Sequence, residues 1–410
     1  MTHRARTTAL VAASTTALLM VPLGPLAPAG AADGEAPGAP GAAATWRSGD
    51  KDGIGTALGR TSKVWYTLTD GTMSETYYPA ADTPNVRDLG FVVSDGSTSS
   101  QRETDGTTQR VELADPTSLT YRQITTDDGG RWRITKTYVT DPERPTVVMD
   151  VSFESLSGEP FSLYALYDPS LAGTAAGDSG SGTAGALLAS DTHLADRPVA
   201  SALVSSTGFT ATSTGYAGSS DGWTDLADDH DLDATYDSAG PGNIVQTGEI
   251  PTDGSQTHFT LALGFGPDTG AARAAADGSL GTSFDAVASA YQSQWAGYLA
   301  GLAPAPDQLT GDLATQYNVS LMTVKAHEDK TFPGAFIASL TLPWGQVVNA
   351  DGSGGGGGGY HFVWARDLYH QVTSLLAAGD RAAAGRAVDW LFTRQQRPDG
   401  HFPQNSHVDG

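Results

Sequence analysis

One change of hydrophobic period, near Gly270, divides this 410-residue chain into a part that can bury itself only as sheets and a part that can bury itself only as helices. Before it, short apolar runs are punctuated by turn dipeptides. Residues 64–69 form a strand-like run, Asp70-Gly71 turns it, and residues 75–78 return. Residues 119–126 and 131–140 flank Asp127-Asp128-Gly129-Gly130, a second hairpin signal. In 131–138 charged residues alternate with Trp132, Ile134 and Tyr138, which predicts one wet and one dry face. Residues 145–156, 161–167 and 258–265 continue the pattern. So many turns with no helical period predict a large antiparallel β-sandwich over 46–270.

After Gly270, Phe284, Val287, Tyr291, Trp295, Tyr298 and Leu302 recur every three or four residues. They predict an amphipathic connecting helix within 271–306, broken by Pro304 and Pro306. A second helix is expected with Leu309, Leu313, Tyr317, Leu321 and Val324 on one stripe. A third spans 367–378 and ends at Gly379, and a fourth is capped by Asp380 and carries Ala384, Val388 and Leu391. Three helices over 307–410 do not close an α core, so the chain is expected to be cut short and to leave apolar helix faces uncovered.

The amino terminus reads as an export signal over residues 1–31. It has a basic start at Arg4 and Arg6, an apolar stretch interrupted by Thr and Pro, and the small-residue pattern Ala29-Gly30-Ala31. An Ala/Gly/Pro-rich linker over 32–45 is expected to be disordered. The reading is a secreted, extracellular protein with no membrane span after processing. There is no cysteine, which excludes thiol nucleophiles, Cys-based zinc sites and Fe–S clusters. The net charge of −23 disfavours nucleic acid and anionic membranes.

The stretch GGGGGGYHFVWARDLYHQ, residues 354–371, is the most pointed in the chain. It lacks the Lys-Ser/Thr of a phosphate-binding loop and the flanking strands of a dinucleotide fold, so its glycines read as a loop leading into the aromatic and charged residues after them. Arg366 and Asp367 stand side by side at a helix start, where the dipole favours the carboxylate, and are expected to form a buried pair. Tyr360 and Trp364 are four residues apart and can bring two rings near that pair. Rings against C–H faces, with a guanidinium donating and a carboxylate accepting, suit a sugar; an ordinary ion pair at a helix start is the alternative.

At these residues the chain resembles glycoside hydrolase family 15, the glucoamylases, most closely the bacterial glucoamylase/glucodextranase type. The similarity runs through GIGTA (53–57), KVWYTLTDGTMSETYYPAADTPNVRDLGFVVSDG (63–96), AYQSQWAGYLAGL (290–302), YNVSLMTVKAHEDKTFPGAFIASLTLPWG (317–345), GGYHFVWARDLYH and RQQRPDGHFPQNSHVDG, in that order. It implies an N-terminal β-sandwich followed by the first helices of a catalytic (α/α)6 barrel. It also implies exo-acting hydrolysis of α-glucans (starch, maltooligosaccharide, dextran or isomaltooligosaccharide) with inversion, by a monomer requiring no cofactor. Arg366 and Asp367 would grip hydroxyls of the non-reducing-end glucose, and Tyr360 and Trp364 would be walls of that subsite.

Inversion needs a carboxylic acid at the leaving oxygen and a carboxylate to activate water. The resemblance places both glutamates beyond residue 410, so no catalytic residue is assigned within this chain. Glu328, the one glutamate after Glu249, stands in a different motif, and the chain as given is expected to lack activity. His401, Gln404 and Asn405, after Asp399-Gly400, either face the substrate or shape a turn. The acidic cluster Asp225, Asp228, Asp229, Asp231, Asp233 and Asp237 around His230 is weighed as a structural Ca²⁺ site, but its spacing is not that of an EF-hand, and no metal ligand is assigned. Two alternatives stay open: a disaccharide phosphorylase-like enzyme, and a non-catalytic, glycan-binding β-module.

Overall fold

The computed structural model describes residues 34–191, 197–342 and 359–410. The proposed export signal and five of the six glycines of the 354–359 run lie outside the described residues.

Among the described residues, two nine-stranded antiparallel sheets face one another. The first runs Gly53–Thr56, Trp65–Thr69, Thr72–Tyr77, Asp88–Ser94, Ser162–Asp168, Ile244–Ile250 and Thr212–Tyr216 from edge to edge, with Pro84–Asn85 and Ser100–Arg102 as side pairs. The second runs Ser238–Ala239, Asp178–Thr183, Ala186–Asp191, Val199–Ser205, Gln256–Gly266, Thr146–Ser155, Trp132–Thr140, Thr120–Asp127 and Thr107–Asp115. Period-2 alternation fills the space between them: Leu68, Met73, Phe91, Val93 and Leu163 meet Ile134, Tyr138, Val147, Met149, Val151, Phe259 and Leu261. Both expected hairpins form. Asp70 and Gly71 have φ of 47° and 81°, the pair of positive values that matches strand twist in a two-residue turn.

The dry face of Trp132–Thr140 holds a surprise. Lys136 falls in register with Trp132, Ile134 and Tyr138 and is buried with them, while Arg133 points outward. Its Nζ donates to Gly71 O at 2.7 Å and to Glu103 Oε2 at 2.8 Å. Burial pushes the lysine down and the glutamate up, and their mutual attraction opposes both shifts. The expectation that every charge in this run is wet is corrected: strand period overrides side-chain type when an opposite charge is supplied across the sandwich.

Residues 34–45 also depart from the disordered linker expected there. Ala36 N donates to Ser238 O at 2.8 Å, Ala42 N to Ala217 O at 2.8 Å, and Asn243 N to Pro40 O at 2.8 Å. Backbone pairing to the sandwich edge needs no apolar side chains, which is why composition alone misreads the segment.

Six helices are described: α1 (Gly222–Asp229), α2 (Thr269–Leu280), α3 (Phe284–Ala300), α4 (Asp312–Ala326), α5 (Ala365–Ala377) and α6 (Arg381–Trp390). The connecting region thus holds two helices rather than one. The sequence hides α2 because its packing residues are small. Ala272 and Ala276 lie so close on Gln256–Gly266 that a Cβ on Gly264 would stand 2.4 Å from Ala272 O. Helix α3 packs as its period predicts, with Tyr291 and Trp295 buried and Trp295 Nε1 donating to Thr56 O at 2.9 Å.

A second core joins the sandwich to the remaining helices. Trp65, Tyr77, Ala80 and Ala81 meet Phe336, Ile337, Leu340, Leu368, Val372, Leu375, Trp390 and Val408. Trp65 Nε1 donates to Ala326 O at 2.8 Å, and Lys330 Nζ donates to Thr56 Oγ1 and Ser62 O, both at 2.6 Å. Burial lowers the Lys330 ammonium to about 7. Helix α5 ends as expected: Gly379 (φ 98°) and Asp380 donate back to Leu376 O and Leu375 O, and Asp380 then caps α6 by accepting from Ala383 N at 2.9 Å. The stripe expected for the fourth helix is corrected: α6 buries Ala383, Ala384, Ala387 and Trp390, and Val388 faces out. Leu313, Tyr369, Leu376, Val388 and Phe392 are 48 to 63% exposed, so α4, α5, α6 and the turn beyond α6 present apolar outer surface.

Candidate active site

The wall singled out in the sequence is built on a two-stranded ribbon. Val363–Trp364 pairs with Asn405–Ser406, Trp364 opposite Asn405. The ribbon is tied down on several sides. Ala338 N and Ser339 N donate to Phe362 O and Tyr360 O at 2.9 and 2.7 Å. Gln395 Nε2 donates to Ser406 Oγ at 3.2 Å, and Trp390 Nε1 to Val408 O at 2.8 Å. Immediately after the ribbon α5 begins, with Asp367 in its first turn.

The Tyr360 and Trp364 rings stack on each other, centroids 5.6 Å apart and planes 17° from parallel. Trp364 Nε1 donates to Gly359 O at 3.2 Å. The Arg366 guanidinium lies 5.8 Å from the Trp364 ring centroid and donates to Asp367 Oδ2 through Nε at 3.1 Å and Nη2 at 2.9 Å. Asp367 holds the guanidinium above its ordinary value. The pair is open to solvent, 61% exposed at Arg366 and 26% at Asp367, which corrects the expectation that it is buried. The reason lies in α5: its inward stripe is Leu368, Val372 and Leu375, and Arg366 and Asp367 fall off it. An open guanidinium–carboxylate pair beside stacked rings can donate to and accept from adjacent hydroxyls while an aromatic edge covers a C–H face.

Of the polar loop, Asn405 is brought to Trp364 by the ribbon, whereas His401 and Gln404 are exposed. His401 N donates to Asp399 Oδ1 at 3.0 Å in a local turn.

The carboxylates of Glu328, Asp329 and Asp82 are engaged. Glu328 accepts from Arg386 through both oxygens, at 2.7 and 2.8 Å, from Gly334 N at 3.0 Å and from Lys325. Burial alone would raise its carboxyl, but the Arg386 hydrogen bonds and Lys325 outweigh burial and hold it below the ordinary range. That is the opposite of what a general acid needs. Asp329 accepts from Ala81 N, Thr331 N and Phe332 N at 2.8, 2.8 and 2.7 Å. Asp82, wholly buried, accepts from His407 Nδ1 at 2.8 Å and Val408 N at 3.2 Å, with Arg197 Nη1 at 3.9 Å.

These last contacts are the part that sequence reading misses. Asp82 and Arg197 belong to the sandwich, yet they hold the segment just past Asn405. Behind the ribbon His361 is buried against Phe362, its ring centroid 4.4 Å away, and burial lowers its imidazole to about 4. No periodicity links Asp82 to His407, and the turn-like Ala80-Ala81-Asp82 gives no sign of what it touches.

The acidic cluster resolves into α1 and the turn after it. Asp221 caps the helix by accepting from Trp223 N and Thr224 N at 3.0 Å, and Asp225 accepts from Asp233 N and Ala234 N at 3.0 Å. Among the described residues no group of three His, Asp or Glu side chains is placed to hold a metal ion, and no helix is long and apolar enough to cross a membrane.

Comparison with known proteins agrees with this architecture. The family described as "Glucodextranase, domain N" matches residues 36–300, and "Glycosyl hydrolases family 15" matches residues 313–399. A glucoamylase of Clostridium sp. (strain G0005) is 38% identical over 377 residues, 90% of this chain and 51% of the relative. The crystal structure of a bacterial glucoamylase complexed with acarbose superposes with a TM-score of 0.82 at 36% identity, covering 91% of this chain and 54% of that one. The chain thus spans about half the length of the relatives it matches.

Proposed function

The chain belongs to glycoside hydrolase family 15, with an amino-terminal domain of the glucodextranase type, and from that premise we propose that it forms part of a secreted enzyme that hydrolyses α-glucans from their non-reducing ends. Helices α4 to α6 are the first of an (α/α)6 barrel, and further helices cover the exposed side chains of Tyr369, Leu376, Val388 and Phe392. Tyr360, Trp364, Arg366 and Asp367 receive the terminal glucose, with Asn405 beside them on the ribbon.

The observation that carries this reading is the solvent-open Arg366–Asp367 pair beside the stacked Tyr360 and Trp364 rings, which sets hydrogen-bonding groups and aromatic surface side by side at a helix start. The relative crystallised with acarbose supports an α-glucan oligosaccharide as ligand. The general acid and base come from outside these residues, because Glu328 is fully engaged by Arg386, Lys325 and Gly334 and has its proton affinity lowered. Both 1,4- and 1,6-linked glucans fit the proposal.

The test tracks the anomer released by the whole protein from maltooligosaccharides and isomaltooligosaccharides, using proton NMR. Inversion at an α-linkage yields β-glucose first. Release of α-glucose first, or of a sugar phosphate only when phosphate is present, would overturn the proposal in favour of a retaining hydrolase or a phosphorylase.

A further inference from the structure

Past Asn405 the ribbon carries a second aromatic and polar surface. Trp364 and Asn405 stand opposite each other, so their side chains share a face. One pair further along, the two-residue period of a strand returns Phe362 and His407 to that face. Their rings do meet: the centroids are 4.5 Å apart, with planes 59° from parallel. Two strand residues span about 6.6 Å, on the scale of one pyranose ring. Phe362 is half-buried, and the buried His361 also packs on it, centroid to centroid 4.4 Å.

His407 divides its ring nitrogens between the protein and solvent. Nδ1 donates to Asp82 Oδ2 at 2.8 Å. Asp82 is itself fixed: wholly buried, it also accepts from Val408 N at 3.2 Å, and Arg197 Nη1 stands 3.9 Å away. The His407 carbonyl is held too, accepting from Ser406 Oγ at 3.0 Å and Gly410 N at 3.2 Å. Yet the His407 side chain is 56% exposed, and its Nε2 has no partner among the described residues. A carboxylate on one nitrogen fixes the tautomer and orientation of the ring and leaves the other nitrogen as the working atom. With Nδ1 protonated, Nε2 accepts from a hydroxyl when the ring is neutral and donates to one when it is charged. The other charges felt by His407, Arg197 and Asp409, are paired with each other at 2.5 Å. What stays open is an aromatic ring and one imidazole nitrogen, a combination that suits a neutral sugar: a ring for a C–H face and a polar group for a hydroxyl.

Resting on the reading that Tyr360, Trp364, Arg366 and Asp367 receive the terminal glucose, we propose that Phe362 and His407 hold the next sugar unit of the glucan, with His407 Nε2 on one of its hydroxyls and Asp82 as the positioning residue of that imidazole. Asp82 belongs to the sandwich and His407 to the helical part. Through this one hydrogen bond the amino-terminal domain then sets the geometry of a substrate contact it does not itself carry. The contact concerns only the second unit, so it selects for chains over single sugars and leaves the handling of the terminal glucose to the neighbouring wall.

The test is steady-state kinetics of the whole protein on substrates with and without a second unit. α-Glucosyl fluoride carries the terminal unit alone; maltotriose and isomaltotriose add the next. His407→Ala should lower kcat/KM about tenfold on whichever trisaccharide is cleaved faster, chiefly through KM, and leave fluoride hydrolysis within about twofold. Asp82→Asn keeps the shape of the carboxylate but removes the charge that orients the ring, and should lower the trisaccharide-to-fluoride ratio in the same direction by a smaller factor. His407→Gln, which offers an amide near the position of Nε2, should restore part of the ratio. Loosening of the ribbon alone would slow both substrates together, so the ratio separates contact from support. If His407→Ala fails to fold, the ratio in Asp82→Asn decides. Equal loss on both substrates, or an unchanged ratio, would overturn the proposal and leave the terminal-glucose reading standing. Fluoride hydrolysis unaffected by Asp367→Ala would instead overturn that reading, and the second position with it.

Discussion

Replacing Asp82 by alanine should loosen the Tyr360–Trp364 wall from a distance. The Asp82 carboxylate is wholly buried and accepts from His407 Nδ1 at 2.8 Å and Val408 N at 3.2 Å, with Arg197 as a third positive neighbour. A hydrogen bond to a charged group contributes about 1.5–3 kcal/mol, and leaving Val408 N unpaired adds the cost of a stranded donor. His407 and Arg197 are partly solvated, which screens their share. The local loss is then about 2–4 kcal/mol. It should appear as amide exchange faster by roughly 30- to 700-fold at Val363, Trp364, Asn405, Ser406 and Val408, with the strands of the sandwich unaffected.

The same clamp sets a pH window. Burial alone would raise Asp82, but its hydrogen bonds to His407 and Val408 and the charge of Arg197 hold it below its ordinary value. Its contribution is present above about pH 4 and fades as pH falls through that lowered value. The Asp82 hydrogen bond raises His407 above its ordinary value, against burial. That contribution is complete below about pH 6.5 and fades as pH rises through the raised value. Ribbon protection should therefore be highest between about pH 4 and 6.5, and the profile should flatten in Asp82→Asn. Unchanged exchange at the ribbon in Asp82→Ala would refute the reasoning.

Two further substitutions probe the sandwich. Gly264→Ala sets a Cβ against the backbone of α2, 2.4 Å from Ala272 O and 2.7 Å from Ala276 N, and should lower stability by about 1–3 kcal/mol in urea unfolding. Lys136→Met should cost about 3–5 kcal/mol by stranding buried Glu103, whereas Lys136→Met with Glu103→Leu should recover most of it; a double variant as unstable as the single one would show that the pair is needed for more than charge balance.

How much of this was legible depended on the physical signal each feature leaves. The Asp70-Gly71 turn, the Tyr291/Trp295 face of α3 and the Gly379–Asp380 junction come from local rules, and each forms where those rules place it. Helix α2 leaves no sequence signal because its contact is made by Ala272, Ala276 and two glycines, which carry little hydrophobic period. Lys136 is misjudged from sequence because residue type suggests a wet position while its register and the Glu103 charge across the sandwich place it inside. At the candidate site the sequence picked out Tyr360, Trp364, Arg366 and Asp367 by type and spacing, and the family similarity gave them a role. It misjudged the burial of the Arg–Asp pair, since nothing local says which side of α5 is the inner one. Asp82 and Arg197, which secure the ribbon, lie hundreds of residues from His407 and Asp409, where only the folded chain brings them together.

The central claim is that the wall of Tyr360, Trp364, Arg366 and Asp367 grips the terminal glucose. It is tested most directly by steady-state kinetics of Asp367→Ala in the whole protein on maltose and isomaltose. Loss of the carboxylate and of the Arg366 anchor should lower kcat/KM by about 2–3 kcal/mol, roughly 30- to 150-fold, with the fold intact by circular dichroism. A variant with the kinetics of the unmodified enzyme would remove Asp367 from the site and contradict the account.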